Sequence, residues 1–496
     1  MPHLLSKSTY IRGLQCPKAL WLYKHRRDLI PPVDPSTQAV FDSGTAVGLL
    51  AQQLFPGGVD CSPDSPFDFA QSVADTQAAF ARGERVIYEA AFLRDEVLAA
   101  MDILVLTDEG WKANEVKSST KVKETYVHDA ALQCHVIAGS IALADVSIVH
   151  LDNSYVRQGP IAVQHLFAIT SVKALVEREA AEVPARIEAL KAVVQLPEAP
   201  VVDIGPHCNT PYPCVFQAHC WAHVPEGPTV FQLPNARGKQ WELYARGIIR
   251  LADIPADELL SGPQRRQVDA WSRKAAGSGE ALVQREPLRR WLDALVCPLY
   301  HLDFETMSSA IPLYNGTRPF QQIPFQYSLH RQDVRDATAA HREFLADGRS
   351  DPREALLRQL LSDIDPIGDI LAYNAPFERM VLRALARDLP HYAEAIAQLL
   401  PRIKDLIDPF KKGWYYAPDM NGSNSIKSVL PALLPHMSYG DLKIAEGGTA
   451  SLCFAQLSAG EYVGDVEQLH RDLLAYCKLD TLAMVEVLGV LEEACV

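Results

Sequence analysis

Three short motifs in the C-terminal part of the sequence contain four acidic residues and one tyrosine. Asp303 and Glu305 are two positions apart, and Glu378 ends the stretch Asn-Ala-Pro-Phe-Glu. Tyr476 precedes Asp480 by four positions, a spacing that makes neighbours in a helix, just as a two-residue spacing shares one face of a strand. Mg²⁺ and Mn²⁺ prefer carboxylate oxygens, and two such ions about 3.5–4 Å apart hold the attacking water and the leaving oxygen in phosphodiester hydrolysis. The motifs therefore predict a two-metal site in which the acids are ligands and Tyr476 orients the water.

These motifs, in this order, resemble the DnaQ-like or DEDD exonucleases of the RNase H fold, in the subtype with a tyrosine in the last motif. The resemblance covers residues 296–496 and implies a 3′–5′ exonuclease-like domain. The family usually has aspartate where this chain has Glu378, which is longer by one methylene and can still ligate a metal. A RecB-associated branch also has elements of the type found at residues 405–406 and 425–427, which implies that Lys427 contacts a phosphate.

A second set of candidate residues lies in the N-terminal part. Asp102 is within an apolar stretch that predicts a strand, and Glu115 and Lys117 are two positions apart in the next predicted strand. This spacing puts Glu115 and Lys117 on one face. We expect Asp102 and Glu115 to bind metal, and Lys117 to stabilise charge on the phosphate or to activate the water. The alternative is an ordinary solvated ion pair, because an isolated Glu-x-Lys is common.

This arrangement resembles the PD-(D/E)xK nucleases, in the RecB-like group that includes CRISPR-associated nucleases with an iron–sulfur cluster. The resemblance implies a restriction-endonuclease-like fold for residues 1–225. It also implies a substrate-orienting role for Gln133 on the following helix. Members of the group often have a histidine ligand on an early helix, a position that Gly48 occupies here. Glu89 is the predicted substitute for that ligand.

Four of the ten cysteines have positions that suggest one shared metal group. In a chain predicted to be cytoplasmic, cysteines are more often metal ligands or buried thiols than disulfides. Their placement resembles the iron–sulfur staple of RecB-like nucleases, which implies a 4Fe–4S cluster whose loss unfolds the N-terminal domain. Zinc, held by the cysteines alone or with nearby histidines, is the main alternative, and the absence of any metal is the other. The four are Cys16, Cys208, Cys214 and Cys220.

Composition and charge limit the classes of protein. The chain has 496 residues, 48% hydrophobic and 22% charged, which is ordinary globular composition for two or three domains. No apolar run reaches the roughly 18 residues of a membrane span, and no signal-peptide pattern opens the sequence, so we expect a cytoplasmic protein without membrane contact. A formal net charge of −14 counts against a broad phosphate-binding surface. Any basic groove must be local, with residues 24–27, 112–123 and 265–266 as candidates.

The predicted elements place these residues in an α/β fold of three segments. Residues 1–225 and 296–496 alternate strands and helices, whereas residues 226–295 predict a helical linker with a weak helix-hairpin-helix resemblance at 243–254. In the first segment, three consecutive strands precede a helix predicted at 126–144. In the last segment, a strand at 300–304 carries the first acid motif and a long helix at 466–493 carries the last.

Taken together, the motifs predict a metal-dependent nuclease that acts on nucleic acid, with DNA favoured over RNA. The whole chain resembles a bacterial family that fuses a RecB-like iron–sulfur nuclease to a DEDD domain, and that resemblance implies a DNA exonuclease in DNA repair or in defence against foreign DNA. An RNA exonuclease and a catalytically degenerate nucleic-acid-binding scaffold remain the alternatives.

Overall fold

The computed structural model describes residues 4–65, 68–335, 337–440 and 442–495, which form two compact units. The first unit comprises the described residues of Met1–His223 and Ser309–Phe320, and the second those of Val224–Ser308 and Gln321–Val496. Helices and strands occur in both units, so the predicted α/β class is confirmed. The predicted domain boundaries and identities stay predictions. Across the described residues, no helix has both the length and the apolar character that a membrane span needs.

The first unit is built on a mixed sheet with strand order β2-β3-β4-β5-β6-β7, and β1 pairs with β4. Neighbouring strands β3, β4 and β5 are antiparallel, and β6 is parallel to β5 after the connecting helix α5. Its strands are β1 (Leu5–Ser6), β2 (Val59–Asp60), β3 (Val86–Arg94), β4 (Val97–Thr107), β5 (Gly110–Lys117), β6 (Leu143–Leu151) and β7 (Phe167–Ser171). Its helices are α1 (Lys7–Gln15), α2 (Pro17–His25), α3 (Pro35–Gln52), α4 (Phe69–Arg82), α5 (Glu124–Ile137), α6 (Val163–Leu166), α7 (Lys173–Glu179), α8 (Val183–Val194) and α9 (Gln217–Cys220).

The helix predicted at 126–144 is wrong at its C-terminal end. Helix α5 ends at Ile137, a turn follows, and the chain enters strand β6 at Leu143. Val146 and Ile148 of that strand are buried in the core of the first unit. The β-branched residues of this stretch favour a strand, because their stiff side chains fit a pleated surface better than a helix.

The second unit contains a sheet with strand order β11-β10-β9-β12-β13 and a separate pair, β14 with β8. Strands β9, β10 and β11 are antiparallel neighbours, whereas β12 and β13 continue the sheet in parallel. Its strands are β8 (Leu282–Val283), β9 (Leu299–Met307), β10 (Ile323–Gln332), β11 (Ala340–Leu345), β12 (Asp369–Ala372), β13 (Ile403–Asp405) and β14 (Tyr415–Tyr416). Its helices are α10 (Lys239–Ala245), α11 (Gly262–Ala275), α12 (Arg285–Asp293), α13 (Arg353–Asp363), α14 (Pro376–Asp388), α15 (Ala393–Leu399), α16 (Asp408–Lys411), α17 (Ile426–Leu433), α18 (Gly447–Ala459) and α19 (Val466–Glu493).

In the stretch with the helix-hairpin-helix resemblance, α10 ends at Ala245 and Gly247 takes a left-handed φ of 78°. A 3-10 turn at Leu251–Asp253 follows, and the next helix starts only at Gly262. The glycine turn of the resemblance is therefore present, but the second helix does not follow it directly.

Alternate side chains of β9 enter two different cores, which puts the acidic residues of this strand on one face. Tyr300 and Phe304 pack in one core with residues of α13, α14 and β12, whereas Leu299 packs in the other core with residues of α19. Because side chains alternate along a strand with a period of two, Asp303 and Glu305 share the face of Leu299. That face is the one on which α19 packs.

Helix α19 has the bounds that the sequence pattern predicts and is fixed onto the sheet by polar contacts. Thr481 Oγ1 lies 2.6 Å from Ser328 Oγ and 2.8 Å from His330 Nδ1, both on β10. These buried contacts determine which side of the helix faces the sheet. Tyr476 and Asp480 lie on that side and are buried.

Candidate functional site

Three of the four acids in the C-terminal motifs converge in the second unit. One carboxylate oxygen each of Asp303, Glu305 and Asp480 lies within 4.8 Å of the other two. Glu305 is 8% exposed and Asp480 9% exposed, and Asp303 is partly buried. Strand β9 thus supplies two carboxylates and α19 the third, from positions far apart in the sequence.

The fourth predicted acid, Glu378, lies outside this group of three but close enough for its charge to raise the pKa of Asp303. Between β12 and α14, Asn374 takes a left-handed φ of 71°, and the helix starts at Pro376, whose fixed φ suits the first helical position. Glu378 then falls in the first turn and is 2% exposed. Its buried Oε2 has no hydrogen-bond partner among the described residues. A buried carboxylate oxygen without a donor is costly, so it points to a ligand.

Burial and mutual repulsion hold these carboxyl groups above their usual pKa values. Burial, followed by the charges of the neighbouring acids, raises the pKa of Asp303 well above its ordinary value. Burial raises the pKa of Glu305 to about 8 and that of Glu378 to about 8. For Asp480, burial outweighs hydrogen bonds from two tyrosines and raises the pKa to about 6. The Lys427 charge acts on Glu305 and Asp480 in the opposite direction, but its ammonium donates to the Ala445 carbonyl at 3.1 Å.

Two tyrosines lie beside these carboxylates, and the sequence motif contains only one of them. Tyr439 Oη donates to Asp480 Oδ1 at 2.7 Å, and its ring centroid lies 6.1 Å from that of Tyr476. Burial first, and then the neighbouring acids, raise the pKa of both tyrosines, so both hydroxyls stay protonated. Tyr439 was not predicted, because it follows α17 without any local acid pattern and meets Asp480 only in the folded chain.

These donors fit a hard divalent cation. Several carboxylate oxygens lie close together in one buried place, and Glu378 has an oxygen without a hydrogen-bond partner. The three clustered acids form no ion pair with a described lysine or arginine. Mg²⁺ and Mn²⁺ take such oxygen ligands, and a cation is what offsets the repulsion that raises these pKa values.

In the first unit, the four residues predicted to form the N-terminal site also come together. Val116 N donates to Asp102 Oδ2 at 2.6 Å, which ties β4 to β5. Lys117 Nζ lies 2.8 Å from Glu115 Oε1, and Gln133 Nε2 of α5 donates to Glu115 Oε2 at 2.7 Å. The Glu115 side chain is fully buried, so these contacts fix it.

A second lysine reaches this cluster and was missed in the sequence. Lys7 Nζ lies 2.5 Å from Glu115 Oε1, while Lys117 Nζ also contacts Asp129 Oδ2 at 3.0 Å. Although burial opposes it, the charges of the two lysines dominate and lower the pKa of Glu115 to about 2. Lys7 lies in a serine-rich stretch, 108 positions before Glu115 in the sequence. No local spacing could therefore reveal the contact.

Glu89, the predicted substitute ligand, has an unusual backbone. Its φ is 52°, within a strand whose neighbours Tyr88 and Ala90 pair with Ile103 and Met101, so Glu89 stands opposite Asp102. Burial, followed by the charges of Asp102 and Glu115, raises the pKa of Glu89 to about 8. A left-handed glutamate in a strand costs free energy and is typical of functional sites.

The N-terminal cluster does not fit a divalent cation as it stands. Both oxygens of Glu115 already accept hydrogen bonds from protein groups, and no three acids here form a compact group like that of the second unit among the described residues. Gly48 lies within α3, and a Cβ at its position would meet open space. Because glycine has no side chain, this position supplies no ligand. The predicted metal binding by Asp102 and Glu115 stays a prediction.

One cavity of the first unit is lined by all four predicted cysteines. Their thiols are free and close enough for Cys16 and Cys208 to raise the pKa of Cys214, after burial. Gly205 N donates to Cys208 Sγ at 3.5 Å. Among the described residues, however, the sulfurs do not form a group within 4.8 Å of one another. The thiols thus surround a space and do not converge on a point.

Part of this chain is similar in sequence to known proteins. The model of a family described as "Domain of unknown function (DUF2779)" matches residues 300–425, which include Asp303, Glu305 and Glu378 but not Asp480. "Uncharacterized protein MG366" of Mycoplasma genitalium is 25% identical in an alignment of 214 residues that covers 39% of this chain and 32% of that protein. "Uncharacterized protein UU173" of Ureaplasma parvum is 26% identical in an alignment of 214 residues that covers 38% of this chain and 30% of that protein. The chain therefore spans about a third of the length of these relatives.

Proposed function

We propose that this protein is a metal-dependent nuclease whose hydrolytic centre is the carboxylate group of the second unit. The observation that carries the proposal is the convergence of Asp303, Glu305 and Asp480 within 4.8 Å, with no ion pair to a described lysine or arginine. Three motifs in the order of the DEDD exonucleases also support it, as does the tyrosine one helical turn before Asp480. DNA as the preferred substrate, and roles in DNA repair or defence, follow from the resemblance alone.

In this proposal, Asp303, Glu305, Glu378 and Asp480 would hold Mg²⁺ or Mn²⁺. Bound ions would polarise the phosphate and lower the pKa of an attacking water. Asp303 and Glu305 are held on a central strand and Asp480 on a helix fixed to it, so the donors are rigid before substrate arrives. Tyr476 keeps its proton, because burial raises its pKa, and so it orients the water by hydrogen bonding and does not act as a base.

We further propose that Cys16, Cys208, Cys214 and Cys220 hold a 4Fe–4S cluster with a structural role. Four thiolates on one zinc, with Zn–S bonds of about 2.3 Å, would lie roughly 3.8 Å apart. Among the described residues, the four sulfurs do not all lie within 4.8 Å of one another, which is compatible with thiolates bound to four different irons. A backbone amide donates to Cys208, as expected for a thiolate ligand.

Whether cleavage requires a free end of the nucleic-acid strand tests the proposed function. Anaerobically purified protein is incubated in Mg²⁺ with end-labelled linear single-stranded DNA, circular single-stranded DNA and linear RNA. We expect linear DNA to be shortened to small products and circular DNA to stay intact, because an exonuclease needs an end. EDTA should stop the reaction. Cleavage of circular DNA at the same rate as linear DNA would contradict an exonuclease. Faster loss of RNA than of DNA would favour the RNA exonuclease. No cleavage of any substrate would favour the catalytically degenerate nucleic-acid-binding scaffold.

Tyr439→Phe tests how Asp480 is positioned. The lost hydrogen bond lowers the pKa of Asp480 in the wild type, so its removal raises that pKa, and the carboxylate then loads metal less readily at low pH. We expect the Mn²⁺ dissociation constant, measured by calorimetry, to rise about 10-fold, as for other partners of metal ligands. The acid limb of the cleavage profile should move to higher pH.

Tyr416→Phe is the matched control, because this buried tyrosine accepts from Gly422 N at 3.1 Å and has no contact with the acids. Equal Mn²⁺ affinity in Tyr439→Phe and the wild type would show that Tyr439 does not position Asp480.

A further inference from the structure

The connection between strands β9 and β10 is much longer than a hairpin requires. It spans residues 308–322, whereas antiparallel neighbours are usually joined by about two to five residues. Residues 309–320 of this connection, called the strap below, belong to the first unit, although both strands belong to the second. The chain therefore leaves the second unit at the end of β9, enters the first unit and returns to begin β10.

The strap is part of the folded core of the first unit. Ala310 is buried in an apolar cluster with Tyr155 and Leu166, and Ile311 packs against the same cluster. The side chain of Thr317 is fully buried as well. Connecting segments usually run over the surface of a protein, so this burial shows that the first unit holds the strap as one of its own elements.

Hydrogen bonds from Arg157 hold the strap in this place. The backbone N of Arg157 donates to the Thr317 carbonyl at 3.0 Å, and its carbonyl accepts from Gly316 N at 2.8 Å. Its Nη1 donates to the carbonyls of Pro312 and Leu313 at 2.8 and 2.7 Å. Because a guanidinium is a charged donor with a rigid geometry, it fixes these two carbonyls more firmly than a neutral donor would.

Both ends of the strap lead directly into strands of the second unit. Strand β9 ends at Met307, two positions after Glu305, and only Ser308 separates this strand from the strap. Thr306 Oγ1 donates to Gln322 Oε1 at 2.7 Å, so the two sides of the connection meet again within the second unit. A displacement of the strap therefore acts first on the strand end that carries Glu305.

The pairing of β9 with β10 is weak at this end. Thr306 stands opposite Pro324, which has no backbone N–H to donate, and the register shifts between Pro324 and Gln326. Glu305 stands opposite Gln326, directly before this interrupted stretch. A strand end with few ladder hydrogen bonds opens readily, so it depends on what holds the chain beyond it.

We propose that the strap fixes this end of β9, so that the folded first unit positions Glu305 in the second. Release of the strap lets the strand end open, which moves one carboxylate away from the other two clustered acids. The long connection is thus a device by which the folded state of the first unit controls the hydrolytic centre. Only the chemistry of that centre rests on the proposed function.

Hydrogen–deuterium exchange of the full, anaerobically purified chain in EDTA tests the proposal. Arg157→Ala removes the guanidinium and leaves the backbone hydrogen bonds of this residue. We expect the amides of the strap, of residues 304–307 and of residues 323–326 to exchange at least about 10-fold faster, because hydrogen bonds from a charged donor are lost. Arg157→Lys keeps the charge on a single nitrogen and should give an intermediate rate.

Arg94→Ala is the matched control, because Arg94 Nη1 also donates to a carbonyl of the first unit, that of His135 at 2.8 Å, outside the strap. It should leave exchange at residues 304–307 unchanged. The Mn²⁺ dissociation constant of the same proteins, measured by calorimetry, should rise about 10-fold in Arg157→Ala and stay unchanged in Arg94→Ala. Circular dichroism shows whether each variant keeps its fold.

Unchanged exchange at residues 304–307 in Arg157→Ala, whether or not the strap itself opens, would overturn the proposal. Equal effects of Arg157→Ala and Arg94→Ala on these residues would also overturn it. If Arg157→Ala does not fold, Arg157→Lys carries the same comparison. A wild type that binds no Mn²⁺ would count against the metal centre alone, because exchange in EDTA still decides whether the strap fixes β9.

Discussion

Asp303→Asn is expected to lower the Mg²⁺-dependent cleavage rate by at least about 10³-fold, because loss of a ligand that holds the ions removes several kcal/mol of transition-state stabilisation. The same substitution is expected to stabilise the metal-free protein. Burial and three neighbouring acids raise the pKa of Asp303 well above its ordinary value. When folding raises the pKa of a carboxyl group, the free energy of unfolding falls as the pH rises from the unfolded pKa towards the folded pKa. Asparagine does not ionise, so the variant has no such loss.

The thermal midpoint in EDTA should therefore be higher in Asp303→Asn than in the wild type, and the difference should grow from pH 5 to pH 8. Differential scanning fluorimetry measures it, with roughly 2–4 °C expected for each 1 kcal/mol relieved in a unit of this size. Asp363→Asn is the control, because this buried acid accepts from Tyr327 at 2.5 Å and from Arg342 at 2.8 Å. Asp363→Asn should lower the thermal midpoint without removing a proposed metal ligand. If Asp303→Asn and Asp363→Asn changed the thermal midpoint in the same direction, that would contradict the account.

Cys208→Ser is expected to abolish iron binding and to unfold the first unit. A structural zinc site can contribute about 10–16 kcal/mol, which is comparable with the whole stability of a typical domain, about 5–15 kcal/mol, and we expect a structural iron–sulfur cluster to matter as much. Cys16, at the start of the first unit, and Cys208, in its C-terminal part, line one cavity, so the proposed cluster would join the two and its loss would release both ends. The readouts are iron content, visible absorbance and the thermal midpoint after anaerobic purification.

Cys134→Ser is the matched control, since this cysteine lies on α5 of the same unit and does not line the cysteine cavity. It should keep iron and colour. A colourless wild type that is fully stable would remove the cluster from the account, and one equivalent of zinc without iron would replace it with the zinc alternative.

The elements that position the hydrolytic acids could be predicted because their patterns are local. The i, i+2 spacing of Asp303 and Glu305 follows from the strand period, and the i, i+4 spacing of Tyr476 and Asp480 from the helix period. The structure confirms both elements, β9 and α19. The boundary after α5 could not be placed, because an apolar run is compatible with both periods and only the packing of β6 decides between them.

The partners of these acids could not be predicted, because they come from distant parts of the chain. Tyr439 and Asp480 are 41 positions apart, and Lys7 and Glu115 are 108 apart. Neither Tyr439 nor Lys7 belongs to a motif with a recognisable spacing. Their roles appear only when the fold brings a hydroxyl or an ammonium within hydrogen-bond distance of a buried carboxylate.

The most direct test of the central claim is to ask which cluster of the chain hydrolyses the phosphodiester. Single-turnover cleavage of end-labelled linear DNA in Mg²⁺ is compared among the wild type, Asp480→Asn and Lys117→Ala, all iron-loaded and folded. We predict that Asp480→Asn leaves the substrate intact while Lys117→Ala still shortens it. Cleavage by Asp480→Asn at the wild-type rate, with loss in Lys117→Ala, would move the chemistry to the first unit and contradict the claim.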